Sequence, residues 1–515
     1  MASEFELKLA ITPRQLTHLK HAPWLARHVC GPGKGGRLVS VYFDTEDLAL
    51  WKQRATLRVR KDNEAYIQTF KEENRGSNTG LGRLEWEHSV RGATPDISCA
   101  RKKKFGGLNL TKLKGSLKPV FVTTVYRYTL PLRYRGSKLE LSLDRGEIKS
   151  GRRRLPIHEV EVELKRGKRA SVIELGREIA LRLDAAYGVA SKAERGYSLR
   201  EDQAEAPVYG QPIVLSEALT AAEAFQSIAM YCMHHFASNH RAIIAGKAEG
   251  VHQMRVGLRR LRAAISVFKR MLHGPETEAI KDSLKWLTEE LGPARDMDVL
   301  VKEAITPLAE VTASPKAVAA LKANVIGKRD KGFERARRAV TGERYRRLVV
   351  DTMLWINGGR WSKSHTPLVV AHRNMRAVSF AEQELGRRAR RVLKKLSKID
   401  DLNLRERHKL RIAVKKLRYA SGYFESLFKS KGKAIKQFIN ALENLQASLG
   451  QLNDIRVHGQ LAKGYAAPAQ RTRNSARLAF AMGELTGEEH AKSRKLLKII
   501  KHRGKRLEHC SPFWK

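Results

Sequence analysis

Cysteine is scarce in this 515-residue chain: Cys30, Cys99, Cys232 and Cys510 are far apart and form no CxxC pair. That argues against a zinc site or a disulfide framework and for reduced thiols in a cytoplasmic protein. Long apolar runs are missing too. No stretch approaches the roughly 20 residues a membrane span needs, and Glu4 and Glu6 interrupt any hydrophobic leader. Without a GxxxxGK[ST] loop or a nucleophile elbow, P-loop and serine-hydrolase chemistry have no carrier. His234 and His235 are adjacent on a helical pattern and face different directions, which excludes them as a metal pair. Acid is the scarce charge: 53 Asp and Glu stand against 99 Lys and Arg, a net +46. Residues 1–200 carry +18 and residues 201–515 carry +28, so the excess is not a tail. Such a field attracts nucleic acid, anionic membrane or inorganic phosphate chains.

Residues 1–166 read as strands. The pattern predicts them at Glu4–Ile11, Arg37–Phe43, Thr56–Lys61, Ala65–Phe70, Gly82–Ser89, Val120–Leu132, Lys138–Lys149 and Ile157–Lys165. Helical pieces are expected near Thr12–His28, opened by Thr12-Pro13, and near Ser171–Ala186. Gly31–Gly36 reads as a flexible turn. Eight mostly antiparallel strands suggest a closed barrel.

Alternation says which face is charged. In the first strand Glu4, Glu6 and Lys8 share one face while Phe5 and Leu7 share the other. Arg58 and Arg60 flank Val59; Arg83, Glu85 and Glu87 flank Leu84 and Trp86; Arg127 lies between Val125 and Thr129. Glu140, Ser142 and Asp144 alternate with leucines, and Glu159, Glu161, Glu163 and Lys165 with Val160, Val162 and Leu164. Six strands with mixed acids and bases on one face point to a charged interior. Packing so many charges together without a ligand is costly, so a cation and a polyanion are expected inside.

These residues resemble the CYTH family, the triphosphate tunnel metalloenzymes. The resemblance rests on Glu4-x-Glu6-x-Lys8, Tyr42-Phe43-Asp44-Thr45, Leu57-Arg58-Val59-Arg60, Thr69-Phe70-Lys71, Arg83–Glu87, Glu159–Lys165 and Ser191–Tyr197, in that order. It implies an eight-stranded antiparallel tunnel that hydrolyses or cyclises triphosphates with Mg²⁺ or Mn²⁺. Together with strand parity it implies Glu4, Glu6, Glu161 and Glu163 as metal ligands, with Asp144 and Glu140 as possible partners, and Glu4, Glu6 and Lys8 as the catalytic set. Lys8, Arg58, Arg60, Lys71, Arg83, Arg127 and Lys192 would clamp phosphate. Glu85 and Glu87 fit either metal binding or support of other ligands, and Lys165 reads as a strand-end charge.

Residues 204–214 form a proline-bearing linker, which sets expected domains of 1–203 and 215–512. Beyond it, helical spacing runs to Leu507, broken by a loop at Gly358–Pro367. This all-α half repeats itself. His252, Arg255, Arg259 and Arg262 recur 156 residues later as His408, Arg411, Lys415 and Arg418. A second shared piece follows each, Leu291–Val299 and Leu449–Val457. Spacings of three, four and three place each quartet along one helix stripe, which self-repels unless an anion is present. The halves are expected to pack as a pseudo-symmetric bundle.

The repeat resembles the CHAD family, often found after a CYTH domain and linked to polyphosphate. The pair together is similar to bacterial CYTH–CHAD inorganic triphosphatases. The implied partners are inorganic triphosphate and polyphosphate chains, without membrane, in the cytoplasm or at polyphosphate granules. Two alternatives stand beside this reading: a thiamine- or nucleoside-triphosphatase, and a non-catalytic polyphosphate or nucleic-acid binder. Nucleic acid ranks lower because the stripes, Tyr419 apart, lack interleaved aromatics.

Overall fold

A computed structural model of the chain describes residues 5–62, 64–73, 83–100, 113, 115–188, 190–203, 205–312, 314–466 and 473–515. By contacts the chain forms two compact units. The first joins Met1–Val208 to Met233–Arg241 and Thr341–Lys363; the second holds Tyr209–Cys232, Ala242–Val340 and Ser364–Lys515.

The first unit is built on one antiparallel sheet. Its strands are β1 (Glu6–Ala10), β2 (Lys34–Asp44), β3 (Ala55–Asp62), β4 (Ala65–Glu73), β5 (Arg83–Val90), β6 (Lys118–Tyr134), β7 (Ser137–Ser150), β8 (Arg153–Arg166) and β9 (Ala186–Tyr187). They are ordered β5-β4-β3-β2-β6-β7-β8-β1-β9. Among the described residues there are nine strands rather than the expected eight. The extra one, β9, is two residues that join β1 through Leu9 and Tyr187, too short to leave an alternation in the sequence. The expected turn at Gly31–Gly36 is also corrected, because β2 already starts at Lys34. Its glycines leave room for the Tyr126 ring: a Cβ on Gly35 would stand 2.5 Å from the Tyr126 hydroxyl.

Short helices back this sheet: α1 (Pro13–Lys20), α2 (Pro23–Ala26), α3 (Ala49–Lys52), α4 (Arg169–Arg182) and α5 (Lys192–Arg200). Thr12 and Gln15 form a capping box at α1, as Thr12-Pro13 predicts, but Pro23 starts a separate helix within the single one expected. Leu7 and Leu9 pair with Val162 and Val160, and all four are buried. α4 comes so close over β1 that a Cβ on Gly176 would collide with Leu7. Asp44, fully buried, accepts from the amides of Thr45, Leu50 and Trp51 and from the Tyr197 hydroxyl at 3.0 Å. The Tyr42–Thr45 and Ser191–Tyr197 motifs thus meet in a hydrogen-bonded corner that orients α5.

The other helices are α6 (Ala221–Ser238), α7 (His240–Ile244), α8 (Ala248–Val267), α9 (Pro275–Glu290), α10 (Gly292–Val299), α11 (Thr306–Val311), α12 (Pro315–Thr341), α13 (Glu343–Gly358), α14 (Pro367–Asn374), α15 (Ala377–Leu396), α16 (Leu404–Phe424), α17 (Gly432–Ala466) and α18 (Arg473–Glu508). A 3₁₀ turn, Arg360–Lys363, occupies the loop expected between Gly358 and Pro367. α13 belongs to the first unit and packs on α4, where Arg177 donates to Asp351 at 2.5 Å. The second unit is all helical. Phe225, Phe268, Phe380 and Phe424 gather α6, α8, α15 and α16 around one aromatic core, with Phe268 and Phe380 stacked at 4.7 Å. Each such buried ring contributes about 1.5–3 kcal/mol. α8 and α16, the two copies of the repeat, pack directly together.

Candidate active site and basic helical cluster

All the long strands send side chains into one cavity of about 710 Å³. Glu6, Lys8, Arg58, Arg60, Lys71, Glu87, Arg127, Glu140, Asp144, Glu161, Glu163, Lys165 and Lys192 line it. A single space lined from β1 through β8 requires that the sheet curl around it. Strand order separates the charges into walls. β3 and β4 supply Arg58, Arg60 and Lys71, while β7 and β8 supply most of the carboxylates.

The acidic wall is tightly networked. Arg127 grips Asp144 with two donors, at 2.8 and 2.7 Å, and also reaches Glu161. Lys192, at the first turn of α5, lies 2.7 Å from Asp144 and 3.0 Å from Glu161 and also pairs with Glu159. Lys8 bridges Glu6 at 2.9 Å and Glu161 at 3.2 Å. Burial alone would push the Glu161 carboxyl up; Lys192, Lys8 and Arg127 more than reverse this and hold it well below the usual carboxylate range. Burial likewise opposes the Lys192 charge, but Glu161, Glu159 and Asp144 keep its pKa above that of a free lysine. On the basic wall, burial and then neighbouring Arg58 lower the Arg60 pKa.

Most of the expected residues therefore meet. Glu4 lies outside the described residues, and Arg83 and Glu85 are described by backbone only, on β5. Two partners, Glu159 and Arg195, were not singled out. Glu159 completes a buried triad with Asp144 and Glu161, whose oxygens lie within 4.8 Å of one another. Arg195, one turn after Lys192, pairs with Glu159. Glu87 sits 3.8 Å from both Arg58 and Arg60 and accepts from Thr69. The Glu159 signal was present, since it continues the Glu161–Glu163 alternation.

In the helical unit, Arg255 and Arg259 of α8 and Arg411 and Lys415 of α16 converge. Burial and then Arg411 and Arg259 push the Lys415 ammonium down to about 7. The Nε atoms of Arg255, Arg259 and Arg411 are buried without a hydrogen-bond partner. Carboxylates from the second repeated piece temper the cluster. Asp296 lies 3.2 Å from Arg255, and burial raises its pKa despite Arg255 and Arg295. Asp454 acts on Arg411 and Lys415. His252 is depressed by burial and then by Arg295. His408 donates to Asn453 at 3.1 Å, and Arg418 turns to Gln446. Arg262 is exposed and acts on Lys416 instead.

Known families account for both halves. The model of the CYTH domain matches residues 2–197, and that of the CHAD domain matches residues 227–463. The chain carries a CYTH domain followed by a CHAD domain. It is similar to the inorganic triphosphatase of Haemophilus influenzae, at 30% identity over 205 residues, which is 39% of this chain and 56% of that protein. The chain thus spans about half the length of this curated relative. It also resembles the crystal structure of the CHAD domain from the plant Ricinus communis, with a TM-score of 0.51 and 28% identity, covering 58% of this chain and 96% of that one. No helix among the described residues is long and apolar enough to cross a membrane.

Proposed function

We propose that residues 1–203 hydrolyse inorganic triphosphate with Mg²⁺ or Mn²⁺ in a tunnel formed by the curled sheet, and that residues 215–512, after a linker at 204–214, bind polyphosphate. The observation that carries the first part is the opposition of a basic wall and an acidic wall across one cavity. The donors fit a hard cation, because every candidate ligand is a carboxylate. Within the acidic wall, Asp144, Glu159 and Glu161 are engaged by Arg127, Lys192, Arg195 and Lys8. Glu6 and Glu163 face each other across β1 and β8, and their side chains are 27% and 22% exposed. Glu6, Glu161 and Glu163, with Asp144 behind them and Glu4 next in the alternation, would hold the ion. When bound there, a divalent cation would supply charge neutralisation of the phosphate and activation of an attacking water. Arg58, Arg60 and Lys71 take the phosphate oxygens from the opposite wall, and Lys8 and Lys192 keep the carboxylates ionised and aligned. Phosphate release from tripolyphosphate, thiamine triphosphate and ATP, with Mg²⁺, Mn²⁺ or chelator, tests this. Metal-dependent turnover of tripolyphosphate is expected, and no turnover of any substrate would refute it.

Two basic stripes packed against each other, with the Nε atoms of Arg255, Arg259 and Arg411 buried without a hydrogen-bond partner, support the second part. Binding should weaken steeply with salt. Retained affinity in Arg255→Glu with Arg259→Glu would refute it.

A further inference from the structure

The outer face of the same sheet carries a row of side chains that this chemistry does not use. Cross-strand register builds it. Tyr66 of β4 lies opposite Lys61 of β3, and Lys61 lies opposite Val39, two residues along β2 from Arg37. Arg37 lies opposite Tyr126 of β6, Tyr126 opposite Arg145 of β7, and Arg145 opposite His158 of β8. Parity confirms the direction: the adjacent residues Arg60, Leu38, Arg127 and Asp144 line the cavity, so these point away from it. Lys61, Arg37, Tyr126 and Arg145 are exposed. Among the described residues, no carboxylate stands in this row. One rung away Glu147 is held by Arg154 at 2.9 Å.

The rings are set as surfaces. Gly33 and Gly35 have no side chains, so the Tyr128 and Tyr126 rings extend over β2; Lys20 sits 4.3 Å above the Tyr128 ring. Tyr126 remains 57% exposed. A ring placed only to cover a glycine strand would be buried and would need no flanking cations. Six adjacent strands span roughly 24 Å, enough for about four nucleotides.

We propose that this face binds single-stranded nucleic acid, with a base stacked on Tyr126 and phosphates on Lys61, Arg37 and Arg145. A duplex hides the base faces that such rings need, and inorganic polyphosphate has none to offer. The helical basic cluster, which lacks such an aromatic row, has no reason to separate a base-bearing strand from an abasic one.

The test uses the full chain and two labelled 12-mers, oligo-dT and its abasic counterpart, which carry the same phosphates. Anisotropy titrations should show oligo-dT bound tighter by on the order of tenfold. Tyr126→Ala should bring the two to parity, and Tyr126→Phe should keep the preference. Arg37→Ala with Arg145→Ala should weaken both oligomers and reduce the salt slope by about 1.4, with triphosphate turnover unchanged. Equal binding of the two oligomers by the wild-type protein would overturn the proposal. So would a preference that survives Tyr126→Ala, or one lost in Tyr126→Phe. Tighter, Tyr126-dependent binding to phosphatidylserine vesicles than to oligo-dT would also overturn it, and would assign the face to a membrane.

Discussion

Replacing Lys415 with methionine is expected to stabilise the protein at neutral pH and, on the proposed function, to weaken polyphosphate binding. Arg411, Arg418 and Arg259 act on this lysine, and Asp454 opposes them. Burial and these arginines lower its pKa from 10.5 to about 7. The folded-state pKa is below the unfolded one, so between these values the unfolded chain holds more proton. Stability therefore rises with pH through that window and is flat outside it. Integrating the difference gives a cost of about 4 kcal/mol at pH 7, about 2 kcal/mol at pH 9 and under about 1 kcal/mol at pH 10.5. The hydrophobic replacement removes this cost. Thermal scans of both proteins at pH 7, 8 and 9 should show the variant melting higher at pH 7, with the gap shrinking steadily. A gap independent of pH, or a wild-type protein more stable at pH 7, would refute the reasoning. A bound polyanion restores the ammonium, so binding near pH 7 should take up a proton, measurable by calorimetry in buffers of different ionisation enthalpy.

Glu6→Gln and Glu163→Gln should each lower metal-dependent turnover by at least on the order of 100-fold and leave the melting temperature near that of wild type; full activity in either would remove that carboxylate from the metal set. Arg58→Ala should raise KM for tripolyphosphate more than it lowers kcat, with the metal dependence unchanged; steady-state kinetics decide. Tyr197→Phe, which deletes the buried donor to Asp44, should cost about 1–2 kcal/mol in urea denaturation. Residues 1–203 alone should melt several degrees lower than the first unit within the whole chain, because α13 no longer covers α4.

The sheet was legible because its charged residues fall on alternate positions, and only an inward face explains six such strands. That same regularity hid the roles within it. Glu159, Glu161 and Glu163 look alike in sequence, yet Arg195 of α5 claims the first while Lys165 lies 2.8 Å from the third. Two stripes on repeated helices were readable from spacing alone, but their carboxylate partners, Asp296 and Asp454, depended on how α10 and α17 turn toward them. Gly33 and Gly35 read as a turn because glycine is a common turn residue; the reason for them here is two tyrosines on a strand about ninety residues away. α13 shows an apolar stripe like its neighbours, and a stripe does not name the surface it will cover.

That last helix has a consequence for how the protein is made. The sheet unit closes only with Thr341–Lys363, and Val208 and Lys363 are 155 residues apart. At about 5–20 residues per second, a ribosome needs roughly 8–30 s to supply them. A sheet that formed in that interval would have α4 without the cover of α13. The charged cavity can form early, while the unit that carries it stays open to chaperones and proteases until α13 arrives.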